Sequence, residues 1–141
     1  MSKSLSKELI EDTRMNLLTC DEYETIGDYQ NRIANRLFML YENSIELDEV
    51  RAKMAFKLHS LAVELFNDIS RAVRTNEKEL YPIGMKKYQA LKTYYKEVKR
   101  EHFSRAENIP ARLNTGYLDI INYYKRIADH TYNIIEYVMK L

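Results

Sequence analysis

Three observations predict an all-α fold, an up-and-down antiparallel bundle of about four long helices. Three glycines and two prolines in 141 residues, with 45% hydrophobic and 30% charged side chains, make a helix-rich balance. Apolar residues recur at alternating steps of three and four through long stretches, the period of a helix face. One short pattern also occurs twice, about a hundred residues apart: Ile26-Gly27-Asp28 continuing to Ile33, and Ile127-Ala128-Asp129 continuing to Ile134, as a helical unit used twice would read. At this length the chain forms a single domain, residues 1–141, and buries roughly two thirds of its unfolded surface without disulfide or metal staples.

From Leu5 to Glu42 there is no proline and one glycine, with apolar residues at Leu5, Leu9, Leu18, Ile26, Ile33, Leu37 and Leu40. This segment reads as one long helix, or as two joined near Thr19-Cys20-Asp21. Asn43 or Ser44 then breaks the pattern and can cap a second helix, whose seam is Leu47, Val50, Met54, Leu58, Leu61, Leu65 and Ile69. Thr75-Asn76 is the next break. Pro82 and Gly84 blur the start of the third helix, as a short turn or a kink, and Met85 to Ser104 is its body.

Asn108-Ile109-Pro110 ends that helix, since proline restricts the residue before it and cannot continue the ladder. The last helix has the clearest seam: Leu113, Tyr117, Ile120, Tyr124, Ile127, Thr131, Ile134, Val138 and Leu141. Short connections make sequential neighbours antiparallel.

The charge balance, 22 basic against 21 acidic side chains, provides no global field to hold nucleic acid by counterion release. The single cysteine, Cys20, rules out an internal disulfide and a cysteine-based zinc site, and fits a reducing, cytoplasmic setting. No run reaches the ~18 apolar residues of a membrane span, and the first twenty residues carry too many charges for a signal peptide.

On these helices the repeated segments resemble the paired signature of PhoU-like proteins. The matches are Glu24-Thr25-Ile26-Gly27-Asp28 and Lys125-Arg126-Ile127-Ala128-Asp129-His130, the latter running on to Asn133-Ile134. Lys99-Arg100-Glu101-His102 and Tyr117-Leu118-Asp119-Ile120 add a likeness to the PhoU-like domain at the C-terminus of bacterial sodium/phosphate cotransporters, from about Leu18 to Leu141.

That resemblance implies a cytosolic regulatory domain at the inner face of the membrane, acting in phosphate transport by contact with a transporter portion, of the same longer chain or a separate one, or with another copy of itself. The alternatives are a stand-alone phosphate-signalling adaptor and a metal-binding bundle. The family template has two three-helix repeats, on which this chain starts at the second helix and lacks the first, leaving an apolar groove that favours a homo-oligomer. The chain is then either a piece of a longer cotransporter or a shortened stand-alone member.

The resemblance also implies divalent or iron-type metal ligands in acidic pairs, and carries them to Glu24 and Asp28, with Asp129 in the second repeat. Two departures weaken this. Lys125 stands where the family has a glutamate, and Tyr88-Gln89-Ala90-Leu91-Lys92 lacks the expected acids. Two carboxylates also fall short of the six or more oxygens a hard cation takes.

The remaining chemistry points away from an enzyme and from any required cofactor. No nucleophile sits beside a base at helical spacing, and three glycines cannot make a phosphate loop. Cys20, beside Asp21 and Glu22, is a poor thiolate. His59, His102 and His130 are not spaced as ligands; His130 reads as an exposed or seam-edge residue and His102 as a cation near a helix C-terminus. Lys125, Arg126 and Asp129 form a charged strip. Among twelve tyrosines, Tyr94, Tyr95 and Tyr123 are candidates for an exposed docking patch.

Overall fold

The computed structural model describes residues 3–141, and among these it contains four helices and no strand. They are α1 (Lys3–Glu42), α2 (Glu49–Thr75), α3 (Leu80–Ser104) and α4 (Ala111–Met139). The bundle expected from the sequence is present, with its helices in antiparallel order.

The first segment is one helix of 40 residues, about 60 Å at 1.5 Å per residue. Thr19 does not break it because its hydroxyl bonds back to the Met15 carbonyl, 2.9 Å away, as Thr13 and Thr25 do to Leu9 and Asp21. The helix stops in a Schellman-type turn. Ser44 takes a left-handed conformation (φ 56°), Ile45 N–H bonds to Leu40 C=O and Ser44 N–H to Tyr41 C=O.

The N-cap of α2 is Asp48 rather than Asn43 or Ser44, for its carboxylate takes the free Arg51 N–H at 3.0 Å. Asn76, left-handed at φ 58°, ends α2 where the sequence breaks. Helix α3 begins at Leu80, so Pro82 sits in the first turn, where its missing N–H has no intrahelical acceptor to lose. Gly84 lets α3 close on its neighbours: a Cβ there would lie 2.5 Å from Cδ1 of Ile69 and 3.2 Å from Cδ1 of Ile135.

The packing is a triangle with an addition. Helices α2, α3 and α4 all touch one another, whereas α1 packs along α4 alone. Between α1 and α2 only side chains reach across, Tyr23 meeting Phe66 edge-on and Ser70 by a 3.2 Å hydrogen bond. The main core therefore lies in the triangle, around Leu58, Leu65, Ile69, Leu91, Tyr117 and Ile135, and a smaller one, Ile26, Ile33, Leu40, Ile120 and Ile127, seals α1 to α4.

Because α4 meets three helices, its buried surface is wider than the single seam read from the sequence: Ile121, Ala128 and Ile135 are buried as well. On α2 the reverse holds. Small Ala55, Ala62 and Ala72 complete the core face with Leu58, Leu65 and Ile69, while Val50 stays exposed and Leu61 half-buried.

Candidate functional site

Three polar clusters and one apolar cleft stand out from this packing. The first cluster lies in the α1–α4 seam. Thr19, Glu22 and Ile26 fall on the same face of α1, so Glu22 is carried into the contact and is only 8% exposed. Its carboxylate accepts from Nδ1 of His130 at 2.7 Å, from the Tyr137 hydroxyl at 2.8 Å and, more weakly, from Asn133. That hydrogen bond, with burial, pushes the Tyr137 phenol above its ordinary value. His130 also stacks on Tyr29, so it is a seam-edge residue held on two sides.

The second cluster joins the start of α2 to the end of α3. Arg51, 4% exposed, lies on the α2 seam one turn before Ala55. It donates from Nε to Nδ1 of His102 (3.0 Å), from Nη1 to Asp48 (2.5 Å) and from Nη2 to the Arg105 carbonyl (2.8 Å). His102 Nε2 in turn reaches Asn114 Oδ1 at 2.6 Å. An imidazole accepting at Nδ1 and donating at Nε2 is the neutral tautomer. His102 is thus a buried bridge, 1% exposed, and not the helix-end cation expected from the sequence, because Arg51 already occupies that role.

The third cluster runs along α3 and α4. Tyr88 stacks on Tyr132 with centroids 4.3 Å apart, and its hydroxyl donates to Asp129 at 2.7 Å. Burial, followed by that carboxylate, raises the Tyr88 phenol far above its ordinary value. Lys125 also bonds Asp129 and lies over the rings of Tyr88 and Tyr95.

These contacts place the candidates from the sequence. Asp129 is held on the α3 side of α4 by Lys125 and Tyr88, whereas Glu24 and Asp28 are exposed on α1, so the three carboxylates are not brought together. Among the described residues no three His, Cys, Asp or Glu side chains gather to hold a metal ion. The residues present do not fit the family's metal.

The three tyrosines do not form one exposed patch either. All are half-buried: Tyr94 lies under the Lys57 ammonium from α2, Tyr95 bonds Asn122 of α4, and Tyr123 packs on Tyr29 of α1. Cys20 is exposed.

The cleft lies between α1 and α2. Its floor is Tyr124 and Ile127 of α4, and its walls are Ile33, Ala34 and Leu37 on one side and Ala62, Val63 and Phe66 on the other, enclosing about 210 Å³. It continues past Leu37 and His59 into a second hollow of about 290 Å³ beside Phe56. Phe56 (70%) and Leu37 (45%) remain exposed along it. Its polar features are Gln30 and a 3.0 Å contact between His59 Nδ1 and the Tyr124 hydroxyl.

Glu22 and Arg51 were not singled out from the sequence. Their signal was present, since each is a charged residue standing at core phase on an apolar seam. The cleft had only an indirect signal, the apolar positions of α1 that outnumber those one partner helix can cover.

The family model of the PhoU domain matches residues 56–138, which span most of α2, all of α3 and all of α4 but its last residue. The matched segment is the triangular unit, and α1 lies outside it. No curated protein and no solved structure matches the chain. Among the described residues no helix is long and apolar enough to cross a membrane.

Proposed function

The chain belongs to the PhoU domain family, and from that premise we propose that it regulates phosphate transport by protein–protein contact, as a domain serving a sodium/phosphate cotransporter. Family membership points to phosphate-transport regulation or phosphate signalling. The further step to a cotransporter is supported by the motifs around Lys99–His102 and Tyr117–Ile120. On this reading the bundle lies at the cytoplasmic side of the membrane, docks on the transporter portion or on a second copy, and uses neither catalysis nor a bound cofactor.

The observation that carries the reading is the apolar cleft between α1 and α2, beside the family unit. The interior charges are engaged by one another: Glu22 with His130 and Tyr137, Arg51 with Asp48 and His102, Asp129 with Lys125. What remains outward in the cleft is suited to receiving a helix, the groove-and-helix mode of recognition.

The test is cross-linking of the tagged chain in its native cells followed by mass spectrometry, with phosphate uptake measured after deletion. Cross-links from the chain to a sodium/phosphate cotransporter, with altered uptake, are expected. Cross-links confined to a sensor kinase, with uptake kinetics unchanged, would replace this reading with that of a signalling adaptor.

A further inference from the structure

The antiparallel seam between α1 and α4 sets a clear register: Glu22 faces Asn133, Tyr29 faces Arg126, Arg36 faces Asp119 and Asn43 faces Arg112. In that register the two copies of the repeated pattern cross each other, and Gly27 comes level with Ala128. On α4, the flank of the repeat is covered by α2 and α3. On α1, the corresponding flank is bare.

The bare flank runs on either side of Tyr23, the one residue of the stripe that reaches across to α2. Leu5, Leu9, Cys20, Gly27, Ala34 and Phe38 fall on one stripe along α1 at helical spacing, all exposed. The register also carries α1 past the end of α4. Arg14 and Glu11 are the α1 residues that stand beside Lys140 and Leu141, so the turns before them, with Leu5 at 48%, Leu9 at 67% and Ile10 at 68% exposure, have no helix beneath them among the described residues.

From this geometry we infer that α1 pairs antiparallel with α1 of a second copy, each overhanging arm entering the other's cleft between α1 and α2. With the stripe reversed on itself, Leu9 of one copy falls on Ala34 of the other and Asn16 on Gly27, a larger side chain on a smaller one, while Leu5 falls on Phe38, apolar on apolar. The two-fold axis then passes within about one turn of Cys20.

The surface on offer is sufficient. Counting about 200 Å² for a fully exposed aromatic side chain, Phe38, Tyr41 and Phe56, at 59%, 80% and 70% exposure, present about 400 Å². Leu5, Leu9, Ile10, Leu17 and Leu37 add to it, towards the ~800 Å² per partner that a stable interface buries. A second copy is the occupant that supplies both halves at once, an unsupported apolar arm and a cleft to hold it. The pairing commits to a second copy the cleft that the proposal about phosphate transport offers to a transporter portion or a second copy, and it is tested by self-association alone, whatever the outcome for phosphate uptake.

The experiment combines sedimentation equilibrium with dipolar electron spin resonance on the chain labelled at its single cysteine, Cys20. A dimer at micromolar concentration with a short label-to-label distance, at the near end of the measurable range, is expected. Leu9→Glu and Ala34→Glu should each weaken the dimer at least tenfold with helicity unchanged, and Lys96→Glu, on α3, should leave it unaltered. A monomer at high micromolar concentration overturns the inference and assigns the cleft to a helix of another protein or of a longer chain. A dimer with widely separated labels, or one indifferent to Leu9→Glu, overturns it equally.

Discussion

Gly27 and Ala128 hold the same place in the internal repeat and lie level across the α1–α4 seam, yet Ala128 is completely buried while a methyl group built on Gly27 would meet nothing within 4 Å. The difference is one of partners, because α4 is covered on its far side by α2 and α3 and α1 is not. It predicts opposite responses to added bulk. Gly27→Ala should raise stability by about 0.5–1 kcal/mol through helix propensity alone, and Ala128→Leu should lower it by about 1–3 kcal/mol by overpacking. Urea unfolding of both variants at low protein concentration measures this.

Arg51 and His102 form the interior contact that ties the start of α2 to the end of α3. Replacing His102 by Ala removes the acceptor of the Arg51 Nε–H and leaves a buried cation short of one partner, at a cost of about 2–4 kcal/mol. His102→Gln, whose side-chain carbonyl can take over that acceptor role, should recover part of it. Chemical denaturation of the two variants side by side gives the comparison.

Asp48 adds an acid dependence at the same end of the bundle. Burial works to raise its carboxyl, but the Arg51 backbone N–H, the Arg51 guanidinium and the charge of Arg105 together outweigh that and hold it below the ordinary carboxylate value. A depressed folded-state value stabilises the protein above the unfolded value, and the gain is lost as pH falls through the folded one. Asp48→Asn keeps a good N-cap acceptor but loses the charge facing Arg51, and should therefore cost about 0.5–1 kcal/mol at neutral pH. The gap from the unaltered chain should narrow steadily below about pH 4. Denaturation midpoints across that range read the effect.

Tyr117 sets the alkaline side. It is 1% exposed, and burial pushes its phenol up to about 12, opposed by the neighbouring Arg51 charge. A raised folded-state value leaves stability intact below the unfolded value near 10 and removes it as pH climbs towards the folded one. Tyr117→Phe should match the unaltered chain at neutral pH and be the more stable by about 1 kcal/mol near pH 11. Thermal melts at the two pH values settle it.

The helices were legible because their signals are local: proline and asparagine at the breaks, and an apolar seam of period near 3.5 on α2 and α4. The position of α1 was less so. Ile26, Ile33 and Leu40 read correctly as a contact stripe, but Leu5, Leu9 and Leu37, equally apolar, stay exposed because nothing in one helix states how many neighbours it has. The same limit governed the candidate residues. Tyr94, Tyr95 and Tyr123 look alike in sequence, yet each is drawn to a different neighbouring helix. Glu24, Asp28 and Asp129 share a repeat, and the antiparallel register that joins the repeats is what sends them to different sides of the bundle.

Glu22 is the polar anchor of α1, and its loss should act on that helix before the rest. Removing the carboxylate strands the His130 ring, the Tyr137 hydroxyl and part of Asn133 in a half-buried seam, a cost of about 2–4 kcal/mol for Glu22→Ala. The triangular unit of α2, α3 and α4 has its own core and does not depend on those contacts. Stability in proteins is divided among such units, each opening with its own free energy. Hydrogen exchange of Glu22→Ala should therefore show amides of α1 exchanging faster by a factor of roughly 30 or more, with those of α2 and α3 near their original rates. A uniform acceleration across all four helices would instead mean that α1 folds as one unit with the triangle.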